Sequence, residues 1–138
     1  MEQEIKDIDV LKEIRTIIDW WYTHQREGSF KSIEKYDYTN QKLSALIYYF
    51  SEQVGQNCTD YLLSYVHRKV GYAKRKKFHR EKLNLGASEN EAEIDNSKSL
   101  EDEAISEGIY ETSKLLLNAA KGVSEAIRQR ISIIKSEK

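Results

Sequence analysis

The segment from Tyr65 to Lys82 holds the residues that are most able to do chemistry. It reads Y-V-H-R-K-V-G-Y-A-K-R-K-K-F-H-R-E-K. If the segment is helical, Tyr65, Tyr72 and His79 recur every seven residues and share one face. Rings on which bases stack, beside cations that follow the phosphates, are typical of proteins that bind single strands without sequence preference. The predicted nucleic-acid-binding residues are Arg68, Lys69, Tyr72, Lys74, Arg75, Lys76, Lys77, Arg80 and Lys82.

A purely structural role for the same cations is also open. If the chain folds back around residues 86–98, the basic segment lies opposite five acidic residues, which are Glu101, Asp102, Glu103, Glu107 and Glu111. The tyrosines would then continue an apolar core, the Lys and Arg stems would cover it, and the charges would pair two helices. Cations on every side of the helix, including Lys69 and Lys76, favour polyanion binding instead.

Other chemistry finds little support in the residue types and spacings. The single cysteine, Cys58, has no spacing to His24, His67 or His79 that is typical of a metal site. No glycine-rich phosphate loop is present. The alternating acids of residues 89–95 lack the glycine and the spacing of a calcium loop. We therefore expect no enzyme, and neither a metal nor a cofactor.

The elements that must position the basic segment are predicted to be helices. The 138 residues include no proline and only 6 glycines, which favours long helices over a turn-rich β fold. We expect a single all-α domain over residues 1–138. Its parts are an N-terminal helix and connector (1–35, helical from about 3 to 26 and ended by Gly28-Ser29), a long helix with a basic end (40–84), an acidic connector (85–98) and a C-terminal helix that starts near Ser99 (99–137).

The two long helices share an eleven-residue apolar period. Its members in the first are Leu43, Ile47, Phe50, Val54, Cys58, Tyr61, Tyr65, Lys69, Tyr72 and Lys76. Its members in the second are Ile105, Ile109, Thr112, Leu116, Ala120, Val123, Ile127, Ile131 and Ile134. Matched periods predict that the helices pack as a long antiparallel hairpin, nearly straight or slightly right-handed in its coiling.

Such a hairpin with one added helix buries little apolar surface, so we expect a homo-oligomer. The predicted oligomerisation residues are Trp20, Trp21, Leu116, Val123, Ile127, Ile131 and Ile134. For the cluster Trp20-Trp21-Tyr22 a second interpretation stays open, in which all three residues pack on the aromatic residues Phe30 and Tyr36 of their own chain.

Charge along the chain is strongly uneven although the formal net charge is −1. Residues 67–85 hold eight basic residues and one acidic residue, whereas residues 86–111 hold one basic and nine acidic residues. No apolar run approaches the ~20 residues that cross a bilayer, and the first residues are acidic rather than like a secretory signal. We expect a cytoplasmic protein with no membrane partner.

The layout resembles that of phage recombination mediator proteins of the UvsY type. These proteins too have a long helix that ends in a Lys/Arg-rich run, then a polar acidic connector and a C-terminal helix, which here ends in residues 125–135. The best-matching residues are Lys69-Val70-Gly71-Tyr72-Ala73-Lys74-Arg75, and the likeness covers about residues 40–137. Residues 1–35 have no counterpart in it.

The resemblance implies a protein that binds single-stranded DNA, forms a ring-like oligomer and helps a strand-exchange recombinase displace the single-strand-binding protein. The basic run would contact DNA and the C-terminal helix would mediate assembly, in the cytoplasm of the host cell if a phage encodes the chain. Two other functions stay open. One is a helical adaptor or assembly protein whose charges pair subunits or partners, and the other is an RNA-binding protein, because backbone charge and stacking do not distinguish the two sugars.

Overall fold

The fold consists of three α-helices. A computed structural model describes residues 9–27, 33–81 and 85–137. The helices are α1 (Val10–Glu27), α2 (Ile33–Arg80) and α3 (Leu85–Ser136). No strand occurs in these described ranges, so the prediction of an all-α protein is confirmed for them.

The first helix begins where its sequence provides a cap. Asp9 accepts a hydrogen bond at its Oδ1 from the backbone N–H of Lys12, over 3.2 Å, and so satisfies one of the donors that a helix start leaves unpaired. Ile14, Ile17 and Trp21 follow at helical spacing and are buried. The predicted residues 3–8 of this helix, its predicted stop at Gly28-Ser29, and Phe30 lie outside the described residues.

Both long helices begin earlier than the sequence analysis predicts. Helix α2 starts at Ile33 rather than near 40, because Tyr36, only 3% exposed, packs in the core and extends the helix. Helix α3 starts at Leu85. The prediction of an acidic connector over 85–98 is therefore wrong, and so is a helix start near Ser99. The segment holds no proline, and it buries Ala92 and Asn96 as an ordinary helix would.

The described residues fall into two compact units. Unit 1 comprises those of 1–54 and 114–138, and unit 2 comprises Gly55–Ser113. The prediction of a single domain stays a prediction.

Unit 1 has an ordinary apolar core made by all three helices. Its buried residues are Ile14, Ile17, Trp21, Tyr36, Leu43, Leu46, Phe50, Val54, Leu117, Ala120, Val123 and Ile127. A buried polar contact also joins α3 to α2, since the Ser124 hydroxyl donates to Asn40 Oδ1 over 2.8 Å. At the surface Lys42 Nζ lies 3.1 Å from Glu13 Oε2.

Unit 2 joins the two long helices mainly through polar side chains. Asn57 Nδ2 donates to Ser113 Oγ over 3.1 Å, and the hydroxyls of Ser64 and Ser106 lie 3.4 Å apart. The rings of Tyr61 and Tyr110 stack with centroids 6.1 Å apart. Because contacts that come later in α2 pair with positions that come earlier in α3, the two segments run antiparallel within this unit.

The contacts in unit 2 follow a different period from the predicted one. On α2 the residues that face α3 are Asn57, Tyr61, Ser64, Arg68 and Arg75, and on α3 the matching residues are Asn96, Glu103, Ser106, Tyr110 and Ser113. Their three- and four-residue steps form a seven-residue repeat. The predicted eleven-residue positions Ile105 and Ile109 are instead 62% and 54% exposed. In unit 2 the polar repeat, rather than the apolar one, faces the neighbouring helix.

Candidate nucleic-acid interface

The cations of the basic segment divide into two sets according to the side of α2 they occupy. We call Arg68, Arg75 and Lys76 the inward set, because each contacts a polar side chain of α3. We call Lys69, Lys74, Lys77 and Arg80 the outward set, because all four are exposed. The last predicted binding residue, Lys82, lies outside the described residues.

The inward set connects the two helices of unit 2. Arg68 forms a two-point ion pair with Glu103, both side chains being largely buried. Arg75 Nη1 donates to Asn96 Oδ1 over 3.2 Å, and Lys76 Nζ lies 3.1 Å from Glu89 Oε1. These three cations already have partners, so a polyanion would have to compete for them.

Electrostatics around the Arg68–Glu103 pair agree with this pairing role. The hydrogen bond to Glu103 raises the pKa of Arg68, which remains a cation. The neighbouring carboxylates, with Glu107 first, raise the pKa of the Tyr61 phenol above its ordinary value. The surroundings of Tyr61 are therefore acidic, which disfavours a phosphate at that ring.

The predicted partners of the basic segment are shifted along α3. Glu103 does face Arg68, but Lys76 faces Glu89, which the sequence analysis placed in the connector. The reason is the longer α3: because residues 85–98 are helical, they continue the antiparallel pairing as far as Lys76.

The outward set has the exposure that phosphate contacts require. Among the described residues, Lys74, Lys77 and Arg80 form no ion pair. Lys69 is exposed as well, and its Nζ lies 5.0 Å from the centre of the Tyr65 ring. From Lys69 to Arg80 the set extends about 17 Å along the helix at 1.5 Å per residue and is spread over roughly 140° of its circumference, which gives a broad row of charge.

The predicted aromatic stripe is less accessible than the cations. Tyr65, Tyr72 and His79 are each only partly exposed. The Tyr65 ring also has two cations within cation–π distance, the Arg68 guanidinium at 5.4 Å and Lys69 at 5.0 Å. Among the described residues, no cation lies over the ring of Tyr72 within the same distance.

A more accessible ring, Phe78, was missed by the sequence analysis. Phe78 is 52% exposed, and its ring meets His79 edge-on with centroids 5.2 Å apart. It follows Lys74 by four residues, so the ring and that ammonium group lie on the same side of the helix. The available signal was a large apolar residue between cations that did not belong to the apolar period.

The predicted oligomerisation residues have mostly intrachain contacts. Trp21, Val123 and Ile127 are at most 8% exposed within unit 1. The rings of Trp20 and Trp21 lie 6.0 and 6.2 Å from that of Tyr36, as the second interpretation of the aromatic cluster has it for these two residues. Tyr22, its third member, is 53% exposed. The remaining members, Leu116, Ile131 and Ile134, are half-buried.

Two further classes of site were sought in the described residues. No group of three or more His, Cys, Asp or Glu side chains there could hold a metal ion. Over the same ranges, no helix is both long enough and apolar enough to span a lipid bilayer.

Comparison with known proteins adds no relative. No protein-family model, no curated protein and no solved structure matches the chain. The resemblance to phage recombination mediators therefore depends on the residues quoted for it above.

Proposed function

We propose that the chain is a non-enzymatic protein that binds single-stranded DNA and helps to load a strand-exchange recombinase. The outward set is the observation that carries the proposal. Four exposed cations in twelve residues, with Phe78 beside them and Tyr72 half-exposed, provide both parts of a single-strand site, which are charge for the phosphates and rings for the bases.

The number of exposed cations sets the expected salt dependence of single-strand binding. Each cation that neutralises a phosphate of a single strand contributes about 0.7 to the slope of log affinity against log salt. The outward set alone therefore gives a slope of roughly 3 per chain. Several chains in one oligomer, each presenting its own row, would multiply the contacts available to one strand.

The mediator part of the proposal adds the assembly and the partners. We propose that α2 and α3 form a long antiparallel hairpin and that copies of the chain associate in the cytoplasm of the cell. An array of basic rows would hold the strand while a recombinase replaces the single-strand-binding protein on it. The quoted resemblance to mediators of the UvsY type supports this part.

The first test is a fluorescence-anisotropy titration with a labelled single-stranded oligonucleotide at several salt concentrations. The proposal predicts saturable binding that weakens steadily with salt, and little binding to an oligonucleotide with a neutral backbone. Equal affinity for the neutral analogue would refute it. A second titration, on a strand coated with a labelled single-strand-binding protein, tests the mediator part, because loss of that label from the strand is expected.

A second candidate function, a helical adaptor or assembly protein, is favoured by the inward set. Arg68, Arg75 and Lys76 use their charge to pair helices, and the outward set could pair with a protein partner in the same way. The neutral-backbone comparison separates the two functions. An RNA oligonucleotide of the same sequence tests the third possibility, since an RNA-binding protein that contacts the 2′-hydroxyl would prefer it.

A further inference from the structure

Unit 2 exposes large apolar side chains on both of its helices. On α2 these are Leu62, Leu63, Val66 and Val70, which we call the outer α2 stripe; they are 47–62% exposed. On α3 they are Ile94, Ile105 and Ile109, which share one face of the helix and form the outer α3 stripe; they are 54–64% exposed. At 100° per residue, both stripes point away from, or to the side of, the polar contacts that join the helices.

This distribution is the reverse of what a self-sufficient pair of helices needs. Among the described residues of unit 2, the buried ones are Asn57, Ala92, Asn96 and Ser113, whereas Leu62, Val66 and Ile105 are mainly exposed to water. Contiguous exposed apolar side chains on a small protein mark a surface that another molecule covers.

The charges beside the two stripes indicate which molecule covers them. Besides its apolar side chains, the α2 segment from 61 to 80 contains cations and no carboxylate, with Lys69 next to the stripe. The outer α3 stripe has the opposite environment, since the exposed acids Glu91, Glu101 and Asp102 share its face with one exposed cation, Lys98. Contact between two α2 stripes would oppose like charges, as would contact between two α3 stripes, whereas α2 against α3 opposes unlike charges.

We propose that the outer α2 stripe of one chain docks on the outer α3 stripe of a second copy. Every chain carries one stripe of each kind, so a second copy provides both complementary surfaces. An anionic lipid surface would instead repel the acidic α3 stripe. The inference deepens the oligomer of the proposed function by naming its interface.

The interface is of the head-to-tail kind. Each docked chain still presents one free stripe, so further copies add until a ring closes or an open chain forms. Lys74, Lys77 and Arg80 follow the end of the α2 stripe by one to three turns, so docking over residues 62–70 leaves them available to phosphates. Lys69 lies within the docked surface, so the salt slope expected for the assembled chain is about 2 rather than about 3.

Two double variants test this arrangement, one for each stripe. Val66→Gln/Val70→Gln removes the α2 stripe, and Ile105→Gln/Ile109→Gln removes the α3 stripe. Glutamine is uncharged and a good helix former, and all four positions are exposed, so folding should persist. Leu11→Gln/Ile133→Gln is the matched control, because both of these residues are exposed in unit 1.

Sedimentation velocity without nucleic acid gives the readout. The parent and the control should be larger than the 16.2 kDa chain, and each stripe variant alone should sediment as a monomer. An equimolar mixture of the two stripe variants should form a two-chain complex, because one intact α2 stripe and one intact α3 stripe remain. A parent that stays monomeric at tens of micromolar, a stripe variant that assembles like the parent, or a mixture that remains monomeric would overturn the proposal.

Circular dichroism melting accompanies each variant. If a stripe variant unfolds, the charge part of the proposal is tested alone with Glu101→Lys and the exposed control Glu137→Lys. We expect the first to weaken association of the chain by about tenfold or more and the second to leave it unchanged, and an unchanged Glu101→Lys protein contradicts the proposal. Both stripe variants keep the outward cations, so their binding of single strands reports on the proposed function separately.

Discussion

Units 1 and 2 use the same two long helices in opposite ways. In unit 1 the residues between the helices are Leu, Ile, Val and aromatic side chains, and Leu43, Ala120 and Ile127 have no exposed surface. In unit 2 the residues between the helices are Asn, Ser, Tyr, Arg and Glu, while Leu62, Val66 and Ile105 face outwards. The comparison indicates that unit 1 provides most of the folding stability, whereas unit 2 provides surfaces that other molecules can bind.

The polar residues of unit 2 have a physical function of their own. Hydrogen-bonded and charged pairs add little net stability compared with apolar packing, but they fix which residues face each other. A defined register holds the outward cations and the stripes at set positions. Unit 2 thus buries less apolar surface between its helices, and the apolar side chains that remain exposed form two faces that can bind other molecules.

The largest expected effect lies in unit 1. Leu43→Ala should lower the free energy of unfolding by about 2–5 kcal/mol, because it leaves a cavity in a filled core. Leu62→Ala, in unit 2, should change it by no more than about 0.5 kcal/mol, because the side chain is mainly exposed. Urea denaturation at low micromolar concentration measures both. Equal losses would mean that the two units do not differ as described.

The next effect concerns the ion pair of unit 2. Arg68→Ala should lower the melting temperature measurably, since it leaves the part-buried Glu103 carboxylate without its partner. Lys69→Ala, one residue along and exposed, is the matched control and should leave the melting temperature nearly unchanged. Replacing both members of the pair with leucine should recover most of the loss. If Lys69→Ala destabilises the protein as much, the division into inward and outward sets is wrong.

Stacking on the rings is expected to affect binding rather than stability. Phe78→Ala should lower single-strand affinity by about 1–3 kcal/mol, with little change in the salt slope. Tyr38→Ala, which removes a 69% exposed ring from unit 1, should leave affinity unchanged. Tyr72→Ala distinguishes two roles: loss of affinity alone indicates stacking, and loss of thermal stability indicates packing. Unchanged affinity in both the Phe78 and the Tyr72 variant would exclude base stacking here.

The smallest expected effect comes from the polar contact between Asn57 and Ser113. Replacing them together by leucine and alanine should leave the unfolding free energy within about 1 kcal/mol of the parent, or raise it, because both polar partners are removed at once. Thermal melting gives the result. A loss well above 2 kcal/mol would show that polar contacts stabilise unit 2 more than apolar ones could.

The helices could be predicted from the sequence because composition and apolar spacing agree over most of the chain. The all-α class and the burial of Ile14, Leu43 and Ile127 follow from these features. The polar repeat of unit 2 could not be predicted in this way, since Asn57, Ser64 and Ser113 carry no apolar signal and compete with a regular apolar period. The connector prediction failed for a related reason, because acidity was taken as a sign of a loop although nothing in residues 87–98 breaks a helix.

The division of the cations likewise needed the structure. The sequence places Arg75, Lys76 and Lys77 side by side, and only the position of α3 shows which of them it contacts. The exposed ring of Phe78 could have been predicted from the sequence, because Phe78 is an apolar residue outside the apolar period.

The outward set is the part of the account on which the function depends, and its salt response tests it most directly. Anisotropy titrations across a range of salt should be compared for the parent, for Lys74→Ala/Lys77→Ala and for the exposed control Lys12→Ala/Arg15→Ala on α1. The account predicts that the first variant weakens binding to all single-strand sequences alike and reduces the salt slope by roughly 1.4, at 0.7 per lost phosphate contact. The control should keep the parent slope. A Lys74/Lys77 variant that retains the parent affinity and slope would contradict the account.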